Sequence, residues 1–137
     1  MAVLIRLRLS AKLENLGRFI GSLGDCAKAQ GFEQQEISKM ELATEEALVN
    51  IFRYAYPEAP GDVEMICMWE GDRFAIEIID SGIPFDATAM PAPEVTEGGH
   101  EREPGGLGIF LMKKMMDEVQ YRREEDRNIL TLIVQKD

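Results

Sequence analysis

The residues best suited to chemistry fall in three separated segments, the first of which is Glu46-Ala47-Leu48-Val49-Asn50. On a helix, positions four apart share one face and lie about one turn from each other. The amide oxygen of Asn50 can ligate Mg²⁺ and the carboxylate of Glu46 can accept a proton, so the pair suits phosphate chemistry. Charged residues on a helix also commonly form a solvated face, and spacing alone leaves that interpretation open.

The second segment is Asp80-Ser81-Gly82, which ends an apolar stretch abruptly. An Asp followed closely by Gly is typical of a simple turn, and this interpretation is at least as good as a functional one. In the functional interpretation, Asp80 is partly buried and accepts a hydrogen bond from an adenine amino group. Gly82 would then allow the backbone to approach the base closely.

The third segment is Gly105-Gly106-Leu107-Gly108, placed before a predicted helix. Free N–H groups and the dipole at a helix N-terminus favour phosphate binding. The segment is not a Walker loop, because no Gly-Lys-Ser/Thr follows it. It is not a dinucleotide fingerprint either, because a loop and not a strand precedes it. Hinges and ordinary helix starts also use glycine, so the segment alone leaves its role open.

The remaining sequence predicts the elements that would hold these segments. Apolar residues alternate in stretches typical of strands and recur every three or four residues in stretches typical of helices. Ser10 is predicted to cap the first helix and Gly31 to end it. The predicted elements are a strand at 2–9, helices at about 12–29 and 34–55, strands at 63–69 and 74–79, a helix from Ile109 to about Asp117, and strands at 119–124 and 128–135.

These elements predict an α+β fold, a two-layer sandwich with three helices on one face of a mixed, mostly antiparallel sheet. Residues 1–137 are expected to form a single domain. Residues 82–104 contain four of the six prolines and are predicted to form one long loop. A loop of ~20 residues is unusual in a compact domain and is often a lid over an active site.

The composition and net charge of the chain exclude several classes of protein. The formal net charge of −10 opposes binding to nucleic acid, so a nucleotide site would need its own local positive potential. No stretch approaches the length of a membrane helix and no signal peptide is evident, so a cytoplasmic location is expected. The two cysteines, Cys26 and Cys67, lack metal-ligand spacing and are predicted to be buried free thiols.

The order and spacing of the three segments together resemble the Bergerat-fold ATPases, and within them the stand-alone anti-sigma-factor serine kinases. The resemblance runs from about residue 36 to the end, and the first strand and helix also fit. It implies that Glu46 is the general base for a substrate serine, that Asn50 holds Mg²⁺, and that Asp80 reads the adenine of ATP with Gly82 nearby. It also implies that Gly106 and Gly108 contact phosphates, beside Leu107 and with Gly105 as a hinge.

The same resemblance implies two protein partners, a sigma factor and a STAS-type anti-anti-sigma protein phosphorylated on serine. Relatives of this kind also pair through the first strand and helix, but Arg6, Arg8 and Arg18 beside the apolar residues there suit an interface for a partner equally well. Two positions depart from the family pattern: Tyr54 stands where a His is common, and Asn128 stands near the place of a Thr that helps to hold adenine. A non-catalytic, nucleotide-dependent binding module remains the alternative function. The catalytic part of a histidine kinase is disfavoured, because the lone His100 lies in the predicted loop.

Overall fold

The computed structural model describes residues 1–89 and 106–136, with elements in the predicted order. A 3-10 turn at Leu13–Asn15 precedes the first helix, and another at Ala87–Ala89 follows the third strand. The main elements are β1 (Ala2–Ser10), α1 (Leu16–Ala29), α2 (Gln34–Tyr54), β2 (Asp62–Glu70), β3 (Arg73–Asp80), α3 (Gly106–Met115), β4 (Glu118–Glu124) and β5 (Arg127–Gln135).

The strands form one five-stranded sheet in the order β1-β2-β3-β5-β4. All four neighbouring pairs formed by the described strands are antiparallel. The last hairpin therefore inserts its second strand, β5, beside β3, and this pairing sets Asp80 opposite Asn128 at one end of the sheet. The predicted fold class, an α+β sandwich with a mostly antiparallel sheet, is confirmed.

The main core lies between the helices and one face of the sheet. Every second residue of β3, namely Phe74, Ile76 and Ile78, is fully buried there, as the alternation of a strand requires. The free thiols Cys26 and Cys67 are buried in the same core, as predicted. Four buried side chains on the opposite face of the strands form a separate, smaller cluster, made of Ile66, Met68, Ala75 and Ile133. The helices thus cover one face, as expected.

The first helix begins later than predicted, and the expected cap at Ser10 is wrong. The strand β1 continues through Ser10, so this residue cannot stand at a helix N-terminus. Its hydroxyl and carbonyl oxygens instead accept hydrogen bonds from the Asn15 amide at 2.8 and 2.9 Å. Gly31 follows the helix with φ of +90°, so its predicted role as the residue that ends α1 is confirmed.

The second helix has almost its predicted bounds, but the third begins earlier than expected. The Glu36 carboxylate accepts a hydrogen bond from the backbone N–H of Glu33 at the start of α2. The helix α3 starts at Gly106 and not at Ile109, so Gly106, Leu107 and Gly108 form its first turn. Of the predicted loop, 90–104 lie outside the described residues. In the part of the chain that is described, no helix is both long and apolar enough to span a membrane.

Candidate functional site

The helix α2 places Glu46 and Asn50 at the beginning of the candidate site. Asn50 is fully buried, and its amide nitrogen donates to the backbone carbonyl of Glu46 at 2.7 Å. Its side-chain oxygen is buried and has no hydrogen-bond partner among the described residues. An unpaired buried acceptor costs about 1–3 kcal/mol, so this oxygen is poised for a donor or a cation.

Glu46 is half-buried on the same helix, one turn before Asn50. Burial raises the pKa of its carboxyl group above the ordinary value, and the adjacent charge of Glu45 raises the pKa further. The guanidinium of Arg53 opposes both effects. A carboxylate with a raised pKa is a stronger base than a fully solvated carboxylate and is therefore better suited to general-base catalysis.

Asp80, the last residue of β3, is almost completely buried at 2% exposure. Its Oδ1 accepts hydrogen bonds from the backbone N–H of Gly82 at 2.9 Å and from the Asn128 amide at 2.8 Å. Burial raises the pKa of the Asp80 carboxyl group, although these two donors and the charge of Arg123 act in the opposite direction. Asp80 therefore forms a turn, because its Oδ1 accepts the Gly82 N–H, and it is also buried, as the functional interpretation requires.

Gly82 is required by close packing against the end of α2. A Cβ built on Gly82 would stand 2.1 Å from the carbonyl oxygen of Ala55, far inside contact distance. The same carbonyl accepts the backbone N–H of Ile83 at 2.9 Å. The close approach expected at Gly82 is thus made to the helix that carries Glu46 and Asn50, which joins the first two segments.

Two aromatic side chains strengthen this junction between α2 and the Asp80 turn. The hydroxyl of Tyr56 accepts the backbone N–H of Ser81 at 2.8 Å and donates to the Asp62 carbonyl at 2.7 Å. The ring of Tyr54 packs against Phe85 with centroids 5.4 Å apart. Tyr54, in place of the His common in the resembling family, therefore serves as a packing residue at this junction.

The glycine-rich segment contributes backbone groups at the start of α3. Gly106, Leu107 and Gly108 lie in the first turn, where backbone N–H groups have no partner within the helix. Gly105 lies outside the described residues. Farther along α3, Lys113 donates to the carbonyl oxygen of Thr88, which links α3 to the chain that follows Asp80.

Sequence reasoning missed Arg123 and Tyr121, which approach the site from β4. Arg123 donates to the Gly82 carbonyl at 2.8 Å, and the Tyr121 hydroxyl donates to Asn128 at 2.6 Å. Their spacing of two residues places both on one face of a strand, which was the available signal. Arg123 also lines an open cavity of about 540 Å³ beside Tyr56 and Gly82, a size typical of small-molecule sites.

Comparison with known proteins shows the family of this chain. The model of the histidine kinase-like ATPase domain family matches residues 9–134. The chain belongs to the histidine kinase-like ATPase domain family. Curated relatives named serine-protein kinase RsbW, from Bacillus cereus strain G9842 and Bacillus mycoides strain KBAB4, are 26% and 25% identical over 92% of this chain and 81% of their own.

A solved structure gives independent support for the fold of this ATPase domain. It is the crystal structure of the RsbU and RsbW domains of Rv1364c from Mycobacterium tuberculosis, with a TM-score of 0.66 and 14% sequence identity. The match covers 96% of this chain but spans only 32% of that protein. It therefore shows a shared fold, and the family assignment implies the use of ATP.

The ATPase domain offers one good candidate ligand for a divalent cation. Within 1–89 and 106–136 there is no group of three or more His, Cys, Asp or Glu side chains that could hold a metal. Mg²⁺ in nucleotide sites keeps several waters and takes few protein ligands, completing its shell with phosphate oxygens. The unpaired oxygen of Asn50 suits a Mg²⁺ site of this kind, in which phosphate oxygens and water supply the other ligands.

Proposed function

We propose that this chain is an anti-sigma regulatory factor with ATP-dependent protein serine kinase activity, acting in the cytoplasm as one ATPase domain over residues 1–137. It phosphorylates a STAS-type anti-anti-sigma partner on serine and sequesters a sigma factor. The observation that carries the proposal is on α2, where Glu46 has a raised pKa one turn from the unpaired oxygen of Asn50. The RsbW relatives named serine-protein kinases support the reaction class.

The proposed roles follow from what each group can do. Glu46 accepts the proton of the substrate serine hydroxyl as that oxygen attacks the γ-phosphorus of ATP and ADP leaves. Asn50 holds Mg²⁺, which neutralises charge on the phosphates when bound. Asp80 accepts a hydrogen bond from the adenine amino group, and Gly82 allows the Asp80 turn to pack against α2. The backbone N–H groups of Gly106 and Gly108 bind phosphate oxygens, beside Leu107 and with Gly105 as a hinge.

We also propose that the chain forms a homodimer through β1 and α1, as the family resemblance implies. Two large apolar side chains in this region support it: Val3 on β1 is 45% exposed and Leu13, just before α1, is 65% exposed. Exposed apolar residues of this kind are typical of surfaces that become covered on association.

The deciding experiment compares Glu46→Gln with the matched neighbour Glu45→Gln. Titration calorimetry with ATP and Mg²⁺ measures binding, and transfer of labelled γ-phosphate to a purified STAS-type partner measures the reaction. We expect Glu46→Gln to keep ATP affinity within about threefold and to lose transfer by roughly 10²–10⁴-fold, the usual contribution of a general base. Glu45→Gln should retain transfer at pH 8.

Two results would count against the kinase. A wild-type chain that binds ATP and its partner but never transfers phosphate would favour the nucleotide-dependent binding module. Unchanged transfer in Glu46→Gln would remove Glu46 from the mechanism and leave the reaction without its proposed base.

A further inference from the structure

Asn128 occupies the centre of a buried polar network beside Asp80. It lies on β5 directly opposite Asp80 on β3, and only 3% of it is exposed. Its amide nitrogen donates one proton to Asp80 Oδ1 and the other to the Ile83 carbonyl, each at 2.8 Å. Both amide protons of Asn128 are therefore used within the protein.

The side-chain oxygen of Asn128 is equally occupied. It accepts the hydroxyl of Tyr121 at 2.6 Å, the backbone N–H of Phe85 at 3.2 Å and the guanidinium of Arg123 at 3.2 Å. If the amide were rotated by 180°, its N–H₂ group would face the donors of Tyr121, Phe85 and Arg123. The hydrogen bonds therefore permit only one orientation of the amide. Asn128 thus has no hydrogen-bonding capacity left for a ligand, and any effect on nucleotide binding must pass through its neighbours.

The neighbour with remaining capacity is Asp80. Its Oδ1 already accepts two N–H donors, from Gly82 and Asn128, and no described residue donates to its Oδ2. We propose that Asn128 is a positioning residue that fixes the Asp80 carboxylate with Oδ2 as the acceptor for an exocyclic amino group, and so sets selectivity for 6-aminopurine nucleotides. This inference rests on the proposed function, because it requires that ATP binds at Asp80.

The chemistry of the carboxylate explains the selectivity. An ionised carboxylate accepts hydrogen bonds and donates none, so it attracts the amino group of adenine and repels the 6-oxo group of hypoxanthine. Discrimination requires that the carboxylate be held at one angle and kept ionised. Asn128 does both, because its amide donates to the charged form of Asp80 and is itself fixed by Tyr121 and Arg123.

The test measures base preference and not affinity alone. The chain of residues 1–137 is titrated with ATP, with purine riboside triphosphate, which lacks the 6-amino group, and with inosine triphosphate. The variants are Asn128→Leu, which removes every hydrogen bond of the amide, and Tyr121→Phe, a milder change that removes one anchor of Asn128. Thr131→Val, on the same strand but the opposite face, is the control.

We expect wild type to prefer ATP over purine riboside triphosphate by at least about tenfold, since a hydrogen bond to a charged acceptor has that effect or more. Asn128→Leu should lower this ratio to near unity while binding of the purine riboside analogue changes less than about threefold. Tyr121→Phe should lower the ratio partially, by about threefold, and Thr131→Val should leave it unchanged. Far-ultraviolet circular dichroism confirms folding of each variant, and Tyr121→Phe keeps the test decisive if Asn128→Leu fails to fold.

Three results would overturn the inference. Equal losses for ATP and the analogue in Asn128→Leu would mean that Asn128 supports the fold without orienting Asp80. An unchanged ratio in both Asn128→Leu and Tyr121→Phe would separate the network from base selection while leaving the ATP site intact. A wild-type chain that binds none of the three nucleotides would refute the proposed function as well.

Discussion

The substitution Gly82→Ala tests the junction between α2 and the Asp80 turn. An added Cβ would lie 2.1 Å from the carbonyl oxygen of Ala55 and 2.6 Å from its carbonyl carbon. These are backbone atoms near the end of a helix, so no side-chain rotation can relieve the clash. The turn must instead move away from the helix by about 1.3 Å, from 2.1 to 3.4 Å, to restore ordinary van der Waals contact.

The size of the effect follows from the contacts that this movement disturbs. Over-packing in a buried site costs about 1–3 kcal/mol. The hydrogen bonds from Gly82 N–H to Asp80 and from Ile83 N–H to Ala55, both 2.9 Å, would weaken, and each is worth about 1 kcal/mol. We therefore expect a loss of about 3 kcal/mol in the free energy of unfolding. For 137 residues this corresponds to a fall of about 10 °C in the unfolding midpoint.

Gly21→Ala is a control with the opposite expected sign. Gly21 lies inside α1 with nothing within 4 Å of its added Cβ, so Ala should raise stability by about 0.5–1 kcal/mol through helix propensity. Both variants are compared with wild type by thermal unfolding followed by circular dichroism and by urea titration. A midpoint for Gly82→Ala within 2 °C of wild type would refute the close approach between the turn and α2.

Two further predictions concern α2. Because Glu46 acts as a base only when ionised, transfer is present above its raised pKa and lost as the pH falls through it. Because the charge of Glu45 raises this pKa and the charge of Arg53 lowers it, Glu45→Gln should move the acid limb of the single-turnover rate to lower pH and Arg53→Gln should move it to higher pH. Shifts of the acid limb in the same direction in both variants would contradict the role of Glu46 as the base. Asn50→Leu should leave the unfolding midpoint of the nucleotide-free protein nearly unchanged, because removal of the unpaired buried oxygen offsets loss of the amide hydrogen bond to the Glu46 carbonyl. The same substitution should abolish the Mg²⁺ dependence of ATP binding in titrations with and without the ion. A loss above about 2 kcal/mol without nucleotide would show that the oxygen is satisfied within the protein.

Local patterns in the sequence were sufficient for most elements of the fold but not for their arrangement. The alternation in β3 and β5 shows which residues face the core, and the four-residue spacing of Glu46 and Asn50 survives because α2 is a regular helix. The strand order could not be predicted, because no short-range signal states that β5 lies between β3 and β4. Asp80 and Asn128 are 48 positions apart in sequence, and only that order brings them into hydrogen-bond contact.

Gly82 shows that one sequence pattern can have two different structural causes. The sequence pattern of Asp followed by Gly indicated a backbone that approaches a ligand. The structure shows that the closest neighbour of a Cβ at this position is the Ala55 carbonyl of α2. A single sequence cannot distinguish a glycine that allows two elements to pack closely from a glycine that allows the backbone to approach a base. In both cases glycine is needed because there is no room for a side chain.

The turn between β4 and β5 connects backbone register to the candidate site. Glu125 and Asp126 have φ of 51° and 63°, conformations that cost a residue with a side chain roughly 1 kcal/mol or more. This two-residue turn sets Arg123 opposite Asn128 across the hairpin. A slip of one residue between β4 and β5 would turn Tyr121 and Arg123 to the opposite face and remove their hydrogen bonds to Asn128. The turn is therefore retained despite its cost, because it determines which side chains of β4 reach Asn128, the residue that donates to Asp80.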